Sequence, residues 1–160
     1  MIRRYRQSDF EAAARLVRRV FAKFVLPDAT PEGVEWWSRL FSLRGEDGER
    51  LRELYARETI AFVAVEGERI VGVVIGTRAE LKRIFVSERL QGRGIGRRLL
   101  RRFEEEFLRQ GGRRYRIVAA LGAVPFYEGA GCKKTTGVRN LHGLRIQPMR
   151  KVLRTGADER

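Results

Sequence analysis

Before an apolar pattern of helical spacing, the chain reads Gln91-Gly92-Arg93-Gly94-Ile95-Gly96, with glycine at every second position. At the start of a helix such a segment offers backbone N–H groups to an anion, and the helix dipole adds positive potential at the same point. Glycine suits the place because a Cβ would hold phosphate oxygens away from the amides and would resist left-handed dihedrals. Arg97, Arg98, Arg101 and Arg102 crowd the first turns, where the dipole makes each cation unfavourable by roughly 0.3 to 1 kcal/mol unless an anion binds. Two readings stand at this point: a polyphosphate cradle and a tight structural turn. A P-loop is excluded, since Arg97-Arg98 stands where Lys and Ser or Thr are required. A dinucleotide site would place the loop after the first strand and an acidic residue about twenty positions on, whereas this loop follows the fourth strand.

Other reactive side chains are few. With one cysteine, Cys132, and one histidine, His142, the chain forms no internal disulfide and lacks the ligands for a zinc site, so no metal is expected. Cys132 has no His beside it and reads as a buried strand residue. His142, in Asn140-Leu141-His142-Gly143, reads as part of a turn, with contact to a substrate as the lesser alternative.

The elements that position these residues follow from periodicity. Ile2 to Arg6 reads as a strand, and Ser8 with Glu11 as a capping box opening a helix to about Phe24, its apolar face Ala13, Leu16, Val17, Val20, Phe21 and Phe24. Thr30 and Pro31 suit the N-cap and first turn of a second helix carrying Val34, Trp37, Leu40 and Phe41. Arg44 to Gly48 breaks it, and Glu49 to Arg57 forms a third helix burying Leu51, Leu54 and Tyr55. Ile60 to Glu66 and Arg69 to Thr77 form a hairpin turning at Gly67-Glu68, followed by a strand over Glu80 to Ser87. A long helix covers Ile95 to about Gln110, ended by Gly111-Gly112. Strands follow over Arg113 to Ala120, Cys132 to Val138 and Leu144 to Leu153, with a short helix from about Ala123 to Ala130. A helix joining the fourth and fifth strands requires that pair to run parallel in a mixed sheet.

At 160 residues, without linker, repeat or low-complexity run, the chain reads as one domain over 1–154 with a flexible tail over 155–160. It has neither an apolar signal core nor an apolar run long enough to span a membrane, and a cytoplasmic location is expected. The net charge is +14, and 29 of the 34 basic residues are arginine. Spread over every segment among glutamates, they read chiefly as a charged surface, with an anionic ligand or a nucleic-acid partner as the alternatives.

The run Ile84-Phe85-Val86 followed by Gln91-Gly92-Arg93-Gly94-Ile95-Gly96 resembles the signature of the GNAT superfamily of N-acetyltransferases, a strand ending in Val, a short link, then Gln/Arg-x-x-Gly-x-Gly/Ala opening a helix. One helix and one strand later, Ala123-Val124-Pro125-Phe126-Tyr127-Glu128-Gly129-Ala130-Gly131-Cys132 resembles that family's A-x-x-F-Y-E-x-x-G-F. The resemblance spans essentially the whole chain. It implies the α/β GNAT fold, a mixed twisted sheet splayed between its fourth and fifth strands with flanking helices, and acetyl transfer from acetyl-CoA to a primary amine.

By the same resemblance, main-chain groups of Ile84, Phe85 and Val86 pair with the pantetheine arm, while Gln91, Gly92, Arg93, Gly94, Ile95, Gly96 and Arg97 hold the pyrophosphate. The N–H of Ile84 is the implied oxyanion donor, and Tyr127 the implied acid for the departing thiolate. Glu80 is the candidate base, with water or a backbone carbonyl as alternatives, and an ion pair with Arg78 or Lys82 as its purely structural reading. Strict alternation puts Glu80 on the face of Ile84 and Val86. Where many relatives carry Asn or Ser before the tyrosine motif, this chain has Ala119 and Ala120, which keeps open a CoA-binding regulator with weak catalysis. A basic nucleic-acid accessory is the remaining alternative. One of Trp36 and Trp37 is expected in the core and the other at the acceptor cleft. The acceptor's identity stays open, as does the choice between monomer and homodimer.

Overall fold

The computed structural model describes residues 1–57 and 60–155, so the tail expected over 155–160 lies, beyond Thr155, outside the described residues. Its elements run β1 (Ile2–Arg4), α1 (Phe10–Phe24), α2 (Pro31–Leu40), α3 (Gly45–Arg57), β2 (Ile60–Glu66), β3 (Arg69–Gly76), β4 (Glu80–Val86), α4 (Ile95–Arg109), β5 (Arg114–Ala120), α5 (Val124–Gly129), β6 (Lys133–Lys134), β7 (Arg139–Leu141) and β8 (Leu144–Val152). The strands form one mixed sheet in the order β1-β2-β3-β4-β5-β8-β6, with β7 also on β8. All neighbours are antiparallel except β4 and β5, which are parallel as the crossover helix requires.

Both faces of the sheet are covered. On one, α4 lays Leu99, Leu100, Phe103 and Phe107 over Phe62, Val74, Leu81 and Ile117. On the other, α1 and α3 place Leu16, Val17, Leu51 and Tyr55 against Val63, Val73 and Ile75. Each such side chain, once fully buried, contributes roughly 1.5 to 3 kcal/mol of transfer free energy. The central strands therefore read as near-continuous Val and Ile rather than as a two-faced alternation.

Several boundaries differ from the sequence expectation. The capping box of Ser8 and Glu11 does not form; α1 begins at Phe10 after a 3-10 turn over Gln7–Asp9. Asp9 organises that turn, accepting from the Arg6 N–H at 2.8 Å while both its oxygens take the Arg3 guanidinium at 2.8 and 2.9 Å. Thr30 does cap α2, its Oγ1 accepting from the Gly33 N–H at 3.1 Å. α3 starts at Gly45 instead of Glu49 and runs through Gly48, where the close Leu43 carbonyl oxygen, 2.4 Å from where a Cβ would stand, leaves room for glycine alone. Phe24 and Val34, placed by periodicity on buried faces, are exposed at the helix margins, and Lys23 covers the Phe24 ring. The strand expected over Cys132 to Val138 keeps only its β6 residues; between Lys134 and Arg139 the chain leaves the ladder, and Gln147 Nε2 donates to the Thr136 carbonyl at 2.6 Å.

Two irregularities shape the centre of the sheet. The pairing of β3 with β4 shifts between Ile75↔Arg83 and Gly76↔Leu81, so Lys82 is the extra residue of a β-bulge. β4 then meets β5 at Glu80↔Arg116 and Leu81↔Ile117 alone, while β5 pairs along its whole length with β8. Past the bulge the two parallel strands part, leaving residues 83–86 without a strand on that side.

Candidate active site

The glycine loop stands where the sequence places it, at the mouth of α4. Gly92 and Gly94 take φ of 80° and 84°, and Gly94 is the left-handed N-cap of the helix. A Cβ on either would meet nothing within 4 Å, so it is the backbone conformation, not crowding within the protein, that requires glycine. Gly96 differs: its added Cβ would touch the Phe126 ring at 3.3 Å. Arg98 N–H makes the first intrahelical bond, to the Gly94 carbonyl at 3.1 Å, so the amides of Ile95, Gly96 and Arg97 have no acceptor within the helix. Gln91 turns back to donate its Nε2 to the Val86 carbonyl at 3.0 Å, bracing the loop against the strand end. Arg93, Arg97 and Arg98 are exposed around the rim, with the Arg97 guanidinium 5.8 Å from the centre of the Phe126 ring.

Gln91, Gly92, Gly94, Ile95, Gly96 and Arg97 line a cavity of about 420 Å³, whose walls also include Ile84, Val86, Ala123, Phe126 and Tyr127. A second cavity, of about 380 Å³, is lined by Phe21, Trp37 and Phe41 from the helices and by Glu80, Arg83 and Phe85 from β4, with Val118, Ala119 and Ala120 opposite. Ile84, Ala123 and Tyr127 belong to both walls. The gap between β4 and β5 thus joins a loop-lined cavity to an aromatic one.

Main-chain polarity at the gap follows from the ladder. Ser87 N–H donates to the Val71 carbonyl at 2.8 Å, which makes 71 and 87 a hydrogen-bonded pair; alternation then gives the polar groups of Phe85 and Arg83 to β3 as well. The N–H and C=O of Ile84 and Val86 accordingly point away from β3, into the gap. Phe85, expected beside them as a ligand-pairing residue, instead spends its main chain on β3 and packs its ring on the α1 side.

Tyr127 is buried in α5, and desolvation, with a smaller contribution from the neighbouring Cys132 thiol, holds its phenol well above the ordinary tyrosine value. It is therefore neutral at physiological pH, a proton donor by state. Cys132 is itself buried, its thiol pushed up chiefly by desolvation, which fits a packing residue.

Glu80 needs a correction. The bulge at Lys82 reverses the alternation, so Leu81 shares the α4 face with Ile84 and Val86 while Glu80 turns to the α1 face with Arg83 and Phe85. The carboxylate lines the aromatic cavity and makes no ion pair or side-chain hydrogen bond among the described residues. Arg78, one partner considered for it, is occupied with Gln110 at 3.2 Å.

Trp37 serves both roles assigned to the tryptophan pair, packing 5.5 Å from Phe21 and lining the cavity. Trp36 instead stacks on His142 at 3.7 Å. His142, at φ 48°, and Gly143, at φ 78°, form the two-residue turn between β7 and β8. The His142 carbonyl accepts from Trp37 Nε1 at 3.2 Å, and the Gly143 carbonyl from the Thr30 N–H at 2.8 Å, fixing the hairpin tip to the start of α2. Sequence reasoning missed Phe21, Phe41 and Arg83 as cavity residues, because helical spacing marks aromatics as apolar without distinguishing core from cleft.

A family model described as an acetyltransferase (GNAT) domain matches residues 25–153. The chain belongs to the GNAT acetyltransferase family. No curated protein matches it. Among solved structures, it is similar to a GCN5-related N-acetyltransferase from Rhodopseudomonas palustris at 18% identity and a TM-score of 0.77, covering 96% of this chain and 95% of that one. The PaiA N-acetyltransferase of Thermoplasma acidophilum, in complex with coenzyme A, has 21% identity and a TM-score of 0.67 over 95% and 98% of the two chains. An aminoglycoside 6'-N-acetyltransferase complexed with coenzyme A has 17% identity and a TM-score of 0.69, with 95% and 96% covered. At these identities the likeness is one of fold.

Proposed function

We propose that this protein transfers the acetyl group of acetyl-CoA to a primary amine by direct attack on the thioester. The observation that carries the reading is the wall of Ile84, Ala123 and Tyr127, common to a cavity with free helix-terminal amides and one holding a carboxylate that pairs with no described residue. Two relatives of the same fold are complexes with coenzyme A, which supports the choice of donor.

The residues divide the work by position. Amides of Ile95, Gly96 and Arg97, with the rim arginines, take the pyrophosphate. The N–H and C=O of Ile84 and the N–H of Val86 align the pantetheine arm, while the Val86 carbonyl holds the Gln91 side chain. An acceptor amine, protonated in water with a pKa near 10, loses a proton to Glu80 or to water beside it before it attacks. As the C–N bond forms, the Ile84 N–H receives the oxyanion; as the C–S bond breaks, the Tyr127 hydroxyl hydrogen-bonds to the sulfur and passes it a proton, and the second proton lost by the nitrogen restores the hydroxyl. The base faces the acceptor cavity while the acid lies at the wall shared with the donor cavity, so the two protons move in separate places.

Calorimetry with acetyl-CoA tests the donor site, and thiol release across an amine panel tests the transfer. No heat at millimolar acetyl-CoA removes the reading; uptake without turnover of any amine leaves a binding protein.

A further inference from the structure

The acceptor cavity carries a more specific chemistry than an amine site requires. Its body is apolar and aromatic: Phe21 packs against Phe41 at 4.6 Å and against Trp37 at 5.5 Å, with Leu144 and Ile146 completing the wall. At about 380 Å³ it lies at the small end of ligand sites. Among the described residues its charged lining is Glu80, Lys82 and Arg83, a single carboxylate beside two cations. A polyamine or aminoglycoside would bring several ammonium groups to a site with one counter-charge, on a protein of net charge +14.

Arg83 is the informative residue. It faces away from Ile84 by alternation, and the bulge at Lys82 brings Glu80 to the same side. Its guanidinium is half-buried over Phe41 at 5.4 Å and over Tyr55 at 5.8 Å, and no carboxylate of the described residues lies within ion-pair distance. Arg3, Arg4, Arg19 and Arg109, by contrast, each hold a carboxylate. A guanidinium fixed on aromatic faces keeps its planar fork of donors for a carboxylate arriving from the cavity.

We infer that the acceptor is a free amino acid with an apolar or aromatic side chain, its carboxylate held by Arg83, its amine beside Glu80 and its side chain among Phe21, Trp37 and Phe41. The inference rests on the transferase reading above. In the transfer the amino nitrogen bonds to the acetyl carbon, the C–S bond breaks, the thiolate takes one proton and one proton is released, so no further reactant is needed.

The experiment compares each amino acid with its decarboxylated twin: L-phenylalanine with phenethylamine, L-leucine with 3-methylbutylamine, and spermidine as a polycation, by thiol release after an acetyl-CoA titration in the calorimeter. The amino acids should exceed their twins in kcat/KM by at least tenfold. Arg83→Met, which keeps the stem on Phe41, should bring that ratio close to one, and Arg83→Lys should restore part of it; the acetyl-CoA titration of each variant reports that it is folded. Equal or better use of the decarboxylated amines, preference for spermidine, or a ratio untouched in Arg83→Met overturns the inference while leaving the transferase reading in place. Absence of acetyl-CoA uptake by the unaltered protein overturns both.

Discussion

Replacing Tyr127 by Phe removes one hydroxyl, and its effect on turnover can be bounded from the site. No partner of that hydroxyl exists among the described side chains, and the ring remains in its packing against Phe126 at 5.2 Å, so folding should change little. Burial raises the phenol, yet the same dry surroundings raise the thiol that forms beside it, so desolvation largely cancels between donor and acceptor. What remains is the ordinary difference, a phenol about 1.5 above a thiol, which makes complete proton transfer uphill by about 2 kcal/mol. The hydroxyl therefore acts mainly as a charge-assisted hydrogen bond to the emerging thiolate, worth about 1.5 to 3 kcal/mol, or roughly 10- to 150-fold in rate. That is the low end of the range for general acids, about 10²- to 10⁴-fold.

Stopped-flow thiol release at saturating acetyl-CoA and acceptor measures it, with acetyl-CoA affinity from calorimetry as control. Insensitivity of kcat to added viscogen establishes that chemistry limits turnover. Under that condition a Tyr127→Phe kcat within twofold of the unaltered protein, at equal acetyl-CoA affinity, refutes the role. The pH profile adds a second check. Because the folded phenol is raised, it stays protonated through the range where an ordinary tyrosine ionises, so kcat should show no fall near pH 10 that Tyr127→Phe abolishes.

Glu80→Gln should lower kcat/KM by about 10²-fold at neutral pH, and the deficit should shrink as pH rises toward the amine's own pKa near 10; a deficit constant with pH denies Glu80 the role of base. Gly94→Ala forces a side chain into φ 84° without any clash, costing about 1 to 2 kcal/mol, so the melting temperature should drop by about 2 to 8 °C and acetyl-CoA affinity with it; an unchanged melting curve contradicts the left-handed cap. The buried Glu106 carboxyl is held well below the usual range, first by the hydrogen bond from Arg109 at 2.8 Å, then by Gln110 and Arg4 against an opposing desolvation. A depressed folded pKa gives stability that is complete above about pH 5 and is lost as pH falls through it, so Glu106→Gln should be less stable in urea at pH 7 and lose less between pH 5 and pH 3; parallel pH dependence would exclude the linkage.

What the sequence made legible was whatever depends on local pattern. The glycine loop, the parallel β4–β5 pair and the Thr30 cap each rest on residues adjacent in the chain, where glycine dihedrals, crossover length and hydroxyl geometry leave few alternatives. What escaped depends on tertiary competition. Asp9 displaced the Ser8–Glu11 cap because Arg3, on a strand, pairs with it. Phe21 and Phe41 are indistinguishable by spacing from Leu16 and Leu51, yet they line the cleft where α1 and α2 overhang the gap in the sheet. The glycine loop and a tryptophan at the cavity were thus readable, while the facing of Glu80 and the part taken by Phe21, Phe41 and Arg83 were not.

On the proposed mechanism, Glu80 is where one inserted residue separates the two halves of the reaction. On an unbroken strand it would share a face with Ile84 and Val86, beside the cavity of the glycine loop, where a carboxylate would repel the pyrophosphate. The bulge at Lys82 turns it to the opposite face, where Arg83 already lies, and bends β4 away from β5 at the same point. Opening the sheet and sorting the charges are therefore one event. Main-chain amides and rim arginines remain on the donor side, a carboxylate and a guanidinium pass to the acceptor side, and the Ile84 backbone stays between them. Deleting Lys82, the extra residue, would leave Glu80 and Leu81 on their present faces but take the bend out of β4, bringing it back toward β5 and narrowing the gap that the proposed transfer needs.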